Sequence, residues 1–334
     1  MHASLLAFLL SASVLQSGEA DRATEARYAV GEIELAGELL FPNANGPFAA
    51  VVISQGSGSS ARDNLWARAA AEMLRDEGLL VLLTDKRGSG ASQGDWRDIG
   101  IAERADDLLA GVEHLQRRSD VDAQCVGVFG LSQGGRVVPV AAARSDEVAF
   151  LVNASGDLVS FPEQILHEMR NDARGAGLSE EAVGKVLEIG AAALRALGTG
   201  DWSDYHRLKR EAEDKEWGEF VGGFPDESLP DWAFYRENLE FDAMPFWVRV
   251  DQPALILLGI EDEQQNVAVQ ESIRRLEFMQ EVSGKTNIRA AQFDDLGHLL
   301  GWTNDAPYDP RVRAELSNFL GTVPCIAAKR GEKG

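Results

Sequence analysis

The stretch V-G-V-F-G-L-S-Q-G-G, residues Val126 to Gly135, decides how the chain is read. Its first half is a short apolar run of strand character, and its second half hems a serine between glycines. G-R-V-V-P-V-A-A-A-R follows, with the composition of a packed helix. A Gly-x-Ser-x-Gly pattern at a strand-to-helix junction holds its serine in strained backbone geometry that only small neighbours permit, and the sharp turn lifts the hydroxyl clear of the sheet edge. The helix N-terminus behind it adds positive potential where an oxyanion would form. Ser132 is therefore read as a nucleophile, and the strand before it as one of a series.

That series is visible on both sides. Apolar runs at Ala49–Ser54, Leu79–Thr84, Cys125–Phe129, Val148–Asn153, Ala254–Leu258 and Ile288–Phe293 are separated by helix-like stretches such as Asn64–Glu77 and Ala102–Arg118. This alternation predicts an α/β fold, a mostly parallel sheet covered on both faces. Ahead of it, G-E-I-E-L-A-G-E-L-L-F-P from Gly31 to Pro42 reads as two short strands around Gly37. Between about Gly156 and Asp251 the alternation stops. That segment is polar and helix-rich and holds Trp202, Trp217, Trp232 and Trp247. An insertion between two strands must pack outside the sheet. Ligands bind at strand C-terminal ends in such folds, so a lid whose aromatics line the pocket is expected, with an insertion whose tryptophans form a small core of their own as the alternative.

The totals bound the function. With 54 acidic against 32 basic residues, a formal charge of -22 repels polyphosphate and anionic membrane surfaces, which argues against nucleic-acid binding. The 45% hydrophobic content is that of a globular chain. Residues 1–20 form an apolar run ending in small residues, with only His2 ahead of it. The run has the length of a signal peptide and is too short to span a bilayer, so export to the periplasm or medium is expected. Two cysteines are too few for a disulfide framework. Cys125 is read as a buried small hydrophobe, Cys325 as part of a polar, flexible tail over 323–334, and no bridge is expected between them.

A serine nucleophile needs a histidine base and an acid that orients it. Of five histidines, only His298, in F-D-D-L-G-H-L-L-G-W, sits at a strand end and late enough for the order serine, acid, histidine. The preceding strand runs into G-I-E-D-E, which offers Asp262 as the favoured acid and Glu261 as the near alternative, since a one-residue shift of the turn exchanges their directions. Donors for an oxyanion are expected from the N–H of Gln133 and from the loop Gln55-Gly-Ser-Gly-Ser59, with the N–H of Ser57 as the second donor. That loop lacks both the third glycine of G-x-G-x-x-G and the Gly-Lys-Ser/Thr ending of a P-loop.

Taken together, these residues resemble the α/β-hydrolase superfamily from about Glu32 to Leu320. The closer resemblance is to bacterial serine esterases with a leading β-hairpin, a G-S-G-x-x-x-R-D loop, a D-x-R-G-x-G-x-S turn and a helical cap. Gly56-Ser57-Gly58 with Arg62-Asp63, and Asp85 to Ser92, are the matching segments. Two positions depart from that pattern: Gln55 stands where many relatives have a histidine, and E-Q-Q-N-V follows the acid. The resemblance implies an eight-stranded, mostly parallel sheet; the alternation described above places its core over 21–155 and 252–322 and the cap over 156–251. The resemblance also implies a Ser132, Asp262, His298 triad cleaving small-molecule carboxylic esters through an acyl-enzyme. Arg87 and Asp63 are read as an ion pair bracing the loops. No metal or organic cofactor is implied, since no His/Cys/Asp cluster has ligand spacing. A peptidase or acyl thioesterase with the same triad is the alternative within enzymes, and a non-catalytic binding protein on the same fold is the alternative outside them.

Overall fold

The computed structural model describes residues 23–331; the signal-peptide reading of 1–20 lies outside the described residues. Eight strands form a single sheet in the order β1-β2-β4-β3-β5-β6-β7-β8: β1 Ala23–Val30, β2 Ile33–Leu40, β3 Phe48–Ser54, β4 Leu80–Thr84, β5 Val121–Leu131, β6 Leu151–Ala154, β7 Ala254–Gly259 and β8 Ile288–Phe293. The pairs β1–β2 and β2–β4 are antiparallel, and every other pair is parallel.

Alternating side chains explain why both faces are covered. In β3, Ala50 and Val52 join one buried cluster while Val51 and Ile53 join the other. The first cluster is closed by α2 (Ile101–Gln116), α3 (Gln133–Arg144) and α10 (Val269–Ser283), the second by α1 (Leu65–Asp76) and α11 (Pro310–Thr322). Asn64 begins α1 by accepting a hydrogen bond from the N–H of Ala67, the N-cap role its short polar side chain favours.

Four expectations are corrected. The hairpin turns at Gly31-Glu32, not at Gly37, which lies inside β2 because a Cβ there would stand 2.8 Å from the Leu83 carbonyl oxygen of β4. Cys125, at 0% exposure in β5, is bonded to Cys325, with Cα atoms 5.7 Å apart. The tail expected to be flexible is helical over Pro324–Gly331 (α12) and packs back on the sheet through Ile326. Sequence separation hid this contact: the two cysteines lie 200 residues apart and only the packing of α12 brings them together. Finally, Arg87 pairs with Asp107 and not with exposed Asp63, and it is Arg62 that binds Asp85.

Between β6 and β7 the chain leaves the sheet for six helices, α4 Phe161–Gly175, α5 Glu180–Thr199, α6 Ser203–Ala212, α7 Gly218–Gly222, α8 Trp232–Glu237 and α9 Met244–Trp247. They form the cap, with a small core of their own around Val186, Ile189, Tyr205 and Trp232. Among the described residues no helix is long and apolar enough to cross a membrane.

Candidate active site

Ser132 stands between β5 and α3 at φ 51° and ψ -117°, a positive φ that a non-glycine residue adopts only under constraint. The constraint comes from three sides. The Ser132 N–H donates to Ala154 O of β6 at 2.8 Å, and Ser132 O accepts from the N–H of Gly135 at 2.7 Å. A Cβ on Gly130 would stand 2.2 Å from Gly134 O, and one on Gly134 would stand 2.1 Å from Ser54 O of β3. The glycines are therefore needed for close backbone approach.

His298 follows β8, and its Nε2 lies 3.0 Å from Ser132 Oγ while its Nδ1 lies 2.7 Å from Asp262 Oδ2. Asp262 is fully buried on the 3-10 turn Ile260–Gln264 after β7, and its other oxygen accepts from the N–H of Asn266 at 3.1 Å. A carboxylate at Nδ1 keeps the proton on that nitrogen and leaves Nε2 free to accept from the serine hydroxyl. Glu261 is exposed and turns away, so the two carboxylates left open by the sequence occupy different environments. The loop of His298 is pinned by Ser155, which donates its hydroxyl proton to His298 O at 2.6 Å.

The loop after β3 runs beside the serine, where a Cβ on Gly56 would be 3.6 Å from Ser132 Cβ. Ser57 and Gln133, the two expected N–H donors, both line the cavity that holds Ser132 and His298. Buried Gln55 braces this loop, donating to Ala61 O and Thr84 O and accepting from Ser60. Lys86 adds a support the sequence did not single out. Its ammonium donates to Gly56 O at 2.9 Å, Gly58 O at 2.7 Å and the Gln133 side-chain carbonyl at 3.1 Å. Arg104 donates to the same Gln133 oxygen. Burial, and secondarily the neighbouring Arg104 charge, pushes the Lys86 ammonium well below the usual lysine range, and burial brings Arg104 down to about 10. Burial also works against the charge of Asp85, but hydrogen bonds from Arg62 and from the N–H groups of Ala91 and Arg62 outweigh it and hold the carboxyl low.

The cavity measures about 280 Å³ and lies between the strand ends and the cap. Its cap wall is one face of α4, Phe161, Gln164, Ile165 and Glu168, at the i, i+3, i+4, i+7 spacing of a helix, with Phe234 and Tyr235 from α8. The core side contributes Trp96, Arg136 and Asp157. The expected lid is thus present, but its tryptophans do not line the pocket. Trp202, Trp217 and Trp232 pack in the cap's own core and Trp247 in the sheet core, since large rings are most stable where they are most enclosed. Among the described residues no cluster of three or more His, Cys, Asp or Glu side chains is placed to hold a metal.

The fold is that of the α/β hydrolases, with a helical cap inserted between the sixth and seventh strands. The prolyl oligopeptidase family matches residues 65–159, which carry the elbow but less than half of the chain. Esterase EstD of Thermotoga maritima is 27% identical over 274 residues, covering 80% of this chain and 58% of that protein. The chain thus spans under two thirds of that relative's length. Among solved structures, an esterase of Pyrococcus furiosus superposes with a TM-score of 0.57 at 18% identity, covering 90% of this chain and 91% of the other. Proline iminopeptidase of Mycobacterium smegmatis gives 0.56 at 17%, covering 91% and 100%.

Proposed function

We propose that the protein is a serine hydrolase that cleaves carboxylic esters through an acyl-enzyme. The observation that carries this reading is the continuous hydrogen-bonded series Ser132 Oγ, His298, Asp262 at the mouth of a capped cavity. Ser132 Oγ attacks the carbonyl carbon as its proton passes to His298 Nε2. Asp262 keeps the imidazole in the right tautomer and stabilises its cation. The N–H groups of Ser57 and Gln133 receive the oxyanion in a site sheltered from water, where such donors act most strongly. Collapse of the tetrahedral species gives the leaving alcohol the proton, and a water then repeats the sequence on the acyl-enzyme.

The same relay serves thioesters and amides, and the partial match to a peptidase family supports an amide reading as the second choice. Purified protein on short-chain nitrophenyl esters, thioesters and aminoacyl anilides ranks the three. Ser132→Ala and Asp262→Asn are expected to lower kcat by about 10³-fold or more, whereas Glu261→Gln leaves it within about twofold. Full turnover in Ser132→Ala overturns the reading.

We further propose that the protein works in an oxidising compartment outside the cytoplasm. The Cys125–Cys325 bond supports this, because such bonds persist chiefly where thiols are not kept reduced. Detection of the active protein in a periplasmic or culture fraction tests it, and confinement to the cytosol sinks it.

A further inference from the structure

The charges on the cavity wall do not balance. Arg136, 3% exposed, is held by buried Asp157 through its Nε at 2.7 Å and its terminal nitrogen at 2.5 Å, and these two answer each other. Glu168, two turns along α4 from Phe161, has no such partner among the described residues, where its one side-chain hydrogen bond comes from Gln164 Nε2 at 3.0 Å. Asp231 adds a third carboxylate at the rim, and Arg97 approaches it no closer than 3.7 Å. A cavity with this lining attracts cations.

Gln164 makes the demand specific. The residue is 5% exposed and lines the cavity, and its Oε1 is buried with no hydrogen-bond partner among the described residues. Its amide cannot be turned round, because the carbonyl would then face the Glu168 carboxylate that its NH₂ now serves. A buried acceptor without a donor is unfavourable, and a ligand N–H relieves it. Gln164 Oε1 and the Glu168 carboxylate therefore offer two neighbouring acceptors to one donor group. The rings of Trp96, Phe161, Phe234 and Tyr235 line the rest of the wall, and aromatic faces attract an ammonium or guanidinium group.

We propose that Glu168 and Gln164 form a subsite for a protonated amine, so that the substrates of this cavity carry an ammonium group within reach of the carbonyl that Ser132 attacks. This specifies the substrate class of the serine hydrolase described above and rests on that reading.

Three small isosteres decide it: n-butylammonium, butan-1-ol and butyrate, compared as inhibitors of nitrophenyl butyrate hydrolysis. The ammonium is expected to inhibit at a concentration at least about tenfold lower than the alcohol, with butyrate weakest. In Glu168→Gln the ammonium advantage is expected to fall below about threefold. Equal inhibition by all three, butyrate as the strongest, or an undiminished ammonium preference in Glu168→Gln each overturns the proposal. Titration calorimetry of the same three compounds on Ser132→Ala reads the preference without turnover. A protein that hydrolyses no ester thus still decides for or against the cation subsite, and the two readings fail separately. Should Glu168→Gln not fold, the ranking on the unmutated pocket remains decisive.

Discussion

Glu168 shows how one side chain links a pocket to pH. Burial raises its carboxyl above the usual glutamate range; the Gln164 hydrogen bond and the Arg136 charge oppose this, while Asp157 and Asp172 reinforce it. Tyr235, on α8, lies close enough for the Glu168 charge to act on its hydroxyl. Only the ionised carboxylate pairs with an ammonium. The preference for n-butylammonium over butan-1-ol should therefore be lost as the pH falls through the raised range of this carboxyl, starting above the ordinary glutamate value of 4.5. An alkylammonium stays protonated throughout, since such groups titrate near pH 10. Asp157, raised by its own burial against the pull of Arg136, titrates in the same direction, and Glu168→Gln separates the two. A ratio in Glu168→Gln as steep with pH as in the parent protein would assign the effect to Asp157.

At the scale of elements, the loops after β3 and β4 act as one unit. Lys86 ties Gly56 and Gly58 to the first residue of α3, and Ser89 adds a bond to Ser59. Lys86→Met keeps the apolar stem and removes all three ammonium contacts. If Lys86 positions the oxyanion donors, kcat should fall by about 10- to 100-fold, less than loss of a donor itself, with KM changed by under about threefold. A lowered denaturation midpoint with unchanged kcat would reduce the lysine to a fold-supporting role. What could be read beforehand also divides at this scale. The strand series, the elbow at Ser132, the late His298 and Asp262 were legible because each depends on a local pattern: an apolar run, its end, and the chain order of three residues. Lys86, Arg104, Gln164 and Glu168 were not, because their meaning lies in which distant segment they face. The tryptophans misled for the same reason. Composition says that rings will be buried but not against what, and the cap had enough helices to enclose them itself. Gly37 marks a second kind of miss, a glycine required by the neighbouring strand and not by its own.

Over the whole molecule, the Cys125–Cys325 bond joins the middle of the sheet to the last helix. Such a link across 200 residues removes unfolded-state entropy that the loop-closure model puts at about 5 kcal/mol, while measured bonds more often give about 2–4 kcal/mol. Cys325→Ser is therefore expected to lower the unfolding free energy by about 2–5 kcal/mol in denaturant titrations. Thiol reductant should shift the parent protein by a similar amount and leave the variant unmoved. Catalysis at low temperature should persist, since α12 lies against the sheet face closed by α1 and α11 and is absent from the cavity lining.

The position of the cap between β6 and β7 also sets an order in time. During synthesis the nucleophile elbow emerges first, then the whole cap, and only afterwards Asp262 and His298. On the proposed mechanism, a half-made chain thus carries Ser132 with neither its base nor its acid beside it. The cysteine bond comes later still, since Cys325 follows His298 in the chain. On the proposed mechanism, chemistry thus awaits the segment that follows β7, and the covalent lock on the fold awaits Cys325.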